Sequence, residues 1–120
     1  MKTILLIEDE KNIQTVYASL LNKKGYNVIT ADNGIDGLDK AQEESPDLII
    51  LDLILPKLDG NLVLEGLKED DNTQDIPVLI ISAKSDKASI ENCLKTGAAD
   101  YLVKPIERNE LLKVVKKLIA

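Results

Sequence analysis

Three runs of four consecutive aliphatic residues, Ile4-Leu5-Leu6-Ile7, Leu48-Ile49-Ile50-Leu51 and Val78-Leu79-Ile80-Ile81, constrain this chain more than any other feature. A strand with one face in water alternates apolar and polar side chains, whereas a strand covered on both faces is apolar throughout. The runs therefore predict central strands of a parallel sheet with helices on both sides. Two segments of lower apolar content, Asn27 to Ala31 and Asp100 to Val103, fit the edges of that sheet.

Helical periodicity fills the intervals. Ile13, Val16, Tyr17, Leu20 and Leu21 repeat with the spacing of one helix face and stop at Gly25, a natural C-terminal residue. Leu111, Leu112, Val115, Leu118 and Ile119 repeat in the same way, with Lys113, Lys116 and Lys117 in the later turns where cations suit the helix dipole. Helices over Ile35 to Glu44 (ended before Pro46), Gly60 to Glu69 and Lys87 to Thr96 (ended at Gly97) complete an alternation of five strands and five helices. Such alternation predicts an α/β fold, a doubly wound five-stranded parallel sheet, and the order 2-1-3-4-5 is taken as its expected arrangement. A chain of 120 residues has room for one domain, 1–120, and neither a repeat nor a linker is visible. Phe and Trp are absent, so the core must be aliphatic.

Charge and residue usage exclude several functions. The formal charge of −6 argues against direct nucleic-acid binding, which needs a positive footprint. The apolar runs are far too short to span a membrane, and Glu8-Asp9-Glu10 follows the first at once, unlike a signal peptide, so a cytoplasmic location is expected. A single cysteine, Cys93, excludes an internal disulfide and reads as a buried thiol. With no histidine at all, no Ser-His-Asp relay and no histidine-ligated metal can exist, so any metal is held by oxygen, which suits Mg²⁺ or Ca²⁺.

In open parallel sheets ligands bind beyond the carboxyl ends of the strands. There the sequence places Glu8-Asp9-Glu10 after the first strand, Asp52 after the third, Ser82-Ala83 after the fourth and Lys104-Pro105 after the fifth. In the expected order Glu8, Asp9 and Asp52 converge, with Ser82 and Lys104 on the flank. Converging carboxylates resist joint ionisation unless a cation relieves them. An acidic cluster beside a lysine and a hydroxyl suggests Mg²⁺-assisted phosphoryl transfer, with Asp52 as nucleophile, Lys104 on one phosphoryl oxygen and Ser82 on another. Glu10 and Asp59 read more simply as helix N-cap or dipole partners. Asp52 resists that reading, since Leu53, Ile54 and Leu55 follow it, and a carboxylate so bordered must be paired or functional.

The segments ILLIEDE, PDLIILDLILPKLDG, IPVLIISA and GAADYLVKPI resemble a bacterial response-regulator receiver domain of the chemotaxis-regulator, flavodoxin-like fold, over essentially the whole chain. The resemblance implies that Glu8 and Asp9 are a Mg²⁺-binding pair, that Asp52 is the phosphorylated residue and a ligand, and that the Ile54 backbone carbonyl completes the protein's metal ligands. It implies that Lys104 is the family's lysine, that Ser82 and Tyr101 form its switch pair, with small Ala83 leaving a passage beside them, and that Lys104-Pro105 is cis. Ile90, Leu94, Tyr101 and part of the last helix would form the face that changes on activation.

Ile54 offers no side chain to align an attacking water, which predicts slow self-hydrolysis, although the charge of Lys84 complicates this. The phosphodonor histidine must lie in a partner, a sensor histidine kinase or a histidine phosphotransfer protein, and the output would be a downstream protein target. Such a chain is no conventional enzyme: it would catalyse its own phosphorylation and slow dephosphorylation, as a monomer or a phosphorylation-dependent dimer. The alternative within the family is a receiver belonging to a larger DNA-binding or enzymatic regulator. Rivals fit less well. A flavodoxin-like electron carrier calls for a hydroxyl- and glycine-rich loop after the first strand, a haloacid-dehalogenase-type phosphatase for an acid at position 54, and a dinucleotide-binding domain for a G-x-G-x-x-G turn.

Overall fold

A computed structural model describes residues 1–119. The elements alternate along the chain: β1 (Thr3–Ile7), α1 (Lys11–Lys23), β2 (Asn27–Ala31), α2 (Gly34–Glu44), β3 (Leu48–Asp52), α3 (Gly60–Glu69), β4 (Val78–Ser82), α4 (Lys87–Thr96), β5 (Asp100–Val103) and α5 (Arg108–Ile119). All strand pairs are parallel, as the alternation predicts, and the order is β2-β1-β3-β4-β5, the expected arrangement.

Strand geometry sends successive side chains to opposite faces, and the core divides accordingly. Leu5, Ile7, Ile49, Leu51, Val78 and Ile80 point to one side, where they pack with residues of α2, α3 and α4. Ile4, Leu6, Leu48, Ile50, Leu79 and Ile81 point to the other, against Leu21 of α1 and Leu111, Val115 and Ile119 of α5. Each fully buried Leu or Ile contributes about 1.5–3 kcal/mol relative to exposure, so aliphatic packing suffices without Phe or Trp. With both faces apolar, alternation does not set strand register. The polar residues that end each run do, because a slip inward would bury an unpaired carboxylate.

The face of α1 differs from the expected stripe. Leu21 is buried and Tyr17 and Leu20 pack against the core, but Val16 is 61% exposed whereas Gln14 is only 7% exposed. The inward place goes to an amide because partners from other elements satisfy it. Cys93 is buried in α4 as expected, its thiol donating weakly to Asn61 Oδ1 at 3.7 Å. Asp59 caps α3 by accepting from the Asn61 amide. Glu10 stands at the α1 N-cap position but makes no side-chain capping bond, so only its charge faces the helix's positive end. The Lys104–Pro105 peptide is cis.

Candidate functional site

Strand register decides which residues meet. Ile7 pairs with Leu51, Asp52 with Ile81 and Ser82 with Val103, so the residues that end β1, β3, β4 and β5 lie along one edge of the sheet. Glu8 prolongs the β1–β2 ladder by one bond, its amide donating to the Ala31 carbonyl, before the chain turns into α1. Asp9 is exposed, whereas Glu8 and Asp52 are buried. One carboxylate oxygen from each of the three lies within 4.8 Å of the others, the one such acidic cluster among the described residues.

Lys104 Nζ sits between two of these carboxylates, donating to Glu8 Oε1 at 2.7 Å and Asp52 Oδ2 at 2.9 Å. The second oxygens are held by backbone: Glu8 Oε2 accepts from the Glu10 amide and Asp52 Oδ1 from the Ile54 amide. These side chains open into a cleft of about 420 Å³, with Ile13, Ile54 and Ala83 as its apolar rim. Burial pushes the Glu8 carboxyl above the usual range, opposed by the bonds from Lys104 and the Glu10 amide and reinforced by the Asp52 charge. Burial also works against the Lys104 ammonium, but hydrogen bonds to Glu8 and Asp52 outweigh it and raise that group above an ordinary lysine. The lysine is the built-in counter-charge of an otherwise self-repelling site.

The donor set fits a hard cation. Three carboxylates offer oxygen only, one of them is exposed to an open cleft, and no sulfur or imidazole competes, which matches the ligand preference of Mg²⁺.

Of the residues singled out in the sequence, Glu8, Asp9, Asp52 and Lys104 meet in the cleft and Ile54 stands on its rim, 54% exposed. Ser82 does not reach the cleft surface. It is fully buried, its Oγ accepting from the Lys84 amide. Tyr101 is also turned inward, packed with Cys93 on the α4 side of the sheet, and its hydroxyl donates to the Lys84 carbonyl at 2.7 Å. Burial raises the Tyr101 phenol, opposed by the Ser82 hydroxyl beside it. Of the expected changing face, Leu94 is 45% exposed whereas Ile90 is half-buried against the core.

Sequence reasoning missed Gly60. A Cβ there would lie 2.4 Å from Leu53 Cα and 2.6 Å from the Asp52 carbonyl oxygen, so the loop that carries Ile54 folds back on α3 only over a glycine. Its amide donates to the Leu53 carbonyl. The Asp-Gly pair at the start of α3 was the available signal.

A doubly wound sheet of this order, with three carboxylates and a lysine at its strand ends, describes a regulatory α/β domain rather than a flavin or dinucleotide carrier. The chain belongs to the response regulator receiver domain family, whose model matches residues 4–116. It is 40% identical over 118 residues to the alkaline phosphatase synthesis transcriptional regulatory protein PhoP of Bacillus subtilis, covering 98% of this chain and 48% of that protein. It is 40% identical over 119 residues to the response regulator ArlR of Staphylococcus aureus, covering 99% of this chain and 53% of ArlR. The chain thus spans about half the length of these two relatives. PilH of Pseudomonas aeruginosa is 33% identical over 120 residues and is covered to 99%. Among solved structures, the Vibrio cholerae chemotaxis protein CheY4 superposes with a TM-score of 0.92 at 27% identity over 98% of both chains. The receiver domain of a Pseudomonas aeruginosa sensor histidine kinase, crystallised with a magnesium ion coordinated in its active site cleft, superposes with a TM-score of 0.90 at 34% identity, covering 98% of this chain and 97% of that one. The chain is a receiver domain of two-component response regulators.

Proposed function

We propose that Asp52 accepts a phosphoryl group from a phosphohistidine carried by a sensor kinase or phosphotransfer protein, and that the modified site changes a protein-binding face. The observation that carries this reading is the Lys104 ammonium bridging Glu8 and Asp52 at the mouth of a cleft in which Asp9 stands exposed. A carboxylate held in place by one lysine contact and one backbone amide is fixed in orientation, which favours in-line attack. An Asp52 oxygen forms a bond to phosphorus as the phosphorus–nitrogen bond breaks, and the departing imidazole nitrogen keeps the electron pair. Lys104 then pairs with a phosphoryl oxygen, trading carboxylate contacts for a charge that develops in the transition state.

Glu8, Asp9 and Asp52, with the Ile54 carbonyl, would hold Mg²⁺, which when bound neutralises the phosphoryl oxygens and screens the carboxylates from one another. After transfer, Ser82 shifts toward a phosphoryl oxygen, and the Ser82–Lys84–Tyr101 contacts link that shift to the α4–β5 surface. Hydrolysis closes the cycle, with water attacking phosphorus and Asp52 leaving as carboxylate.

No helix among the described residues is long and apolar enough to cross a membrane, which is compatible with a cytoplasmic site of action. Two contexts fit the chain: a regulator that works by protein contact, as the full-length match to PilH favours, and the receiver of a longer regulator, as the half-length matches to PhoP and ArlR favour.

Intact-protein mass after treatment with acetyl phosphate and Mg²⁺ tests the chemistry. One added phosphoryl group is expected, absent in Asp52→Asn and after chelation. An adduct that persists in Asp52→Asn overturns the assignment of the acceptor, and a folded, Mg²⁺-loaded protein that takes phosphate neither from acetyl phosphate nor from any phosphohistidine donor overturns the function.

A further inference from the structure

Gln14 is one of the few polar side chains the fold buries, and it displaces the apolar residue that helix periodicity would put there. An amide in that position is costly unless it is satisfied. Here Nε2 makes two bonds, donating to the Glu8 carbonyl at 2.8 Å and to Asp32 Oδ1 at 3.0 Å. The first compensates for a ladder that has run out: the β1–β2 pairing ends with the Glu8 amide on Ala31, and the residues after β2 lead into α2. The second ties the amide to a carboxylate that also accepts from Lys11 Nζ at 2.8 Å in the first turn of α1. Both Gln14 and Lys11 lower the Asp32 carboxyl below its ordinary range, in keeping with an ionised hub.

These bonds bracket the acidic loop. Glu8 is fixed at its carbonyl, α1 is fixed at Lys11 and Gln14, and Asp9 and Glu10 lie between. From this bracket we infer that Gln14, anchored by Asp32, is a positioning residue that holds the Glu8-Asp9-Glu10 loop in the geometry its carboxylates need to bind a divalent cation. Gln14 touches neither the cation nor the phosphoryl group. Its effect reaches the site through the backbone of Glu8, whose side chain is locked between Lys104 and the Glu10 amide. A residue that orients a metal-binding loop from outside typically changes metal affinity by about tenfold or more when its bonds are removed. The inference rests on the proposed Mg²⁺ site for its functional meaning, but the loop-holding role can be read without metal.

Two variants test it. Gln14→Met keeps length and volume while removing both donors, and Gln14→Arg keeps N–H donors at similar reach with a charge matched to Asp32. Hydrogen exchange in metal-free protein is expected to speed up at the Glu8 and Glu10 amides in Gln14→Met, with β3 and β4 unchanged, and Gln14→Arg is expected to restore protection. Calorimetric titration with Mg²⁺ is expected to show about tenfold weaker binding in Gln14→Met and near-normal binding in Gln14→Arg. Unchanged loop exchange and unchanged Mg²⁺ affinity in Gln14→Met overturn the inference, as does a uniform loss of protection throughout the sheet, which would mark a general core residue. A wild-type chain that binds no Mg²⁺ overturns the functional reading instead, while the exchange measurement still decides whether Gln14 holds the loop.

Discussion

The Tyr101 hydroxyl donates to the Lys84 backbone carbonyl, and the amide of that same residue donates to Ser82 Oγ, so one peptide segment joins the buried tyrosine to the serine at the end of β4. Replacing the phenol by a phenyl ring leaves the ring's packing with Cys93 intact but strips the carbonyl of its partner. Tyr101→Phe is therefore expected to cost about 1 kcal/mol in urea denaturation. The pH dependence has a definite sign. The folded phenol is raised, chiefly by burial, so its contribution is complete below the unfolded value of about 10 and is lost as pH rises through the folded one. The gap between wild type and variant should hold up to about pH 10 and close above it, and a gap that widened there would refute this account.

Glu8 gives a second pH signature, in the acid range. Its carboxyl is raised by burial more than Lys104 and the Glu10 amide lower it, so the folded, metal-free chain holds that proton to higher pH than the unfolded chain, whose glutamate titrates near about 4.3. The stabilisation is present below the unfolded value and lost as pH climbs through the folded one. Glu8→Gln cannot titrate, so without metal wild type should lose stability relative to Glu8→Gln as pH rises from about 4. Mg²⁺ needs the carboxylate, so wild-type Mg²⁺ affinity should rise over the same interval with a proton released on binding. Urea midpoints in chelator and calorimetry in two buffers of different ionisation enthalpy read both effects. Affinity independent of pH through this range would count against Glu8 as a ligand.

Much of this was readable from residue order, for a physical reason: a strand covered on both faces has a run of aliphatics no other element requires, and the residues just beyond its end fall at the sheet's ligand-binding edge. That logic anticipates that Glu8, Asp9, Asp52 and Lys104 meet in one cleft. It fails at Gln14 and Val16, because periodicity counts apolar residues on a helix but does not see that Asp32, on another loop, satisfies an inward amide. It also groups Leu53, Ile54 and Leu55 as one apolar stretch, whereas Leu53 is buried and Ile54 largely exposed, the loop having turned over Gly60. The hydrogen-bond partner of Tyr101 lay beyond the sequence for a similar reason, since it is a main-chain carbonyl that carries no side-chain signature.

Gly60 and Gly66 lie in the same helix and should respond differently to alanine. At Gly60 the added methyl meets backbone, Leu53 Cα at 2.4 Å and the Asp52 oxygen at 2.6 Å, so the loop bearing Ile54 must move. Gly60→Ala is expected to destabilise by about 2–3 kcal/mol and to weaken Mg²⁺ binding. At Gly66 the nearest atom is Leu38 Cδ2 at 3.3 Å, the mobile end of a half-buried side chain, and a helix interior gains up to about 1 kcal/mol on replacing glycine by alanine. Gly66→Ala should be neutral to stabilising. Equal losses in the two variants, measured by chemical denaturation, would show that backbone crowding at the β3–α3 turn is not what makes Gly60 necessary.

Ile54 sets the expected lifetime of the phosphorylated state. Its side chain reaches out over the cleft rim, 54% exposed, and offers water neither a donor nor an acceptor, so a hydrolytic water is not oriented from that position. Lys84, on the other loop, is exposed and carries a positive charge but no group able to accept a proton from water. The phosphorylated wild type should therefore persist for minutes or longer, and Ile54→Gln, which adds an amide able to hold a water in line with phosphorus, should shorten that lifetime by about tenfold, less than the roughly hundredfold or more of a group that also accepts the proton. Tracking the mass of the adduct over time after removal of acetyl phosphate measures both. A wild-type lifetime of seconds, or an Ile54→Gln variant no faster than wild type, would mean that water is oriented by another part of the site, with the Lys84 loop as the next place to substitute.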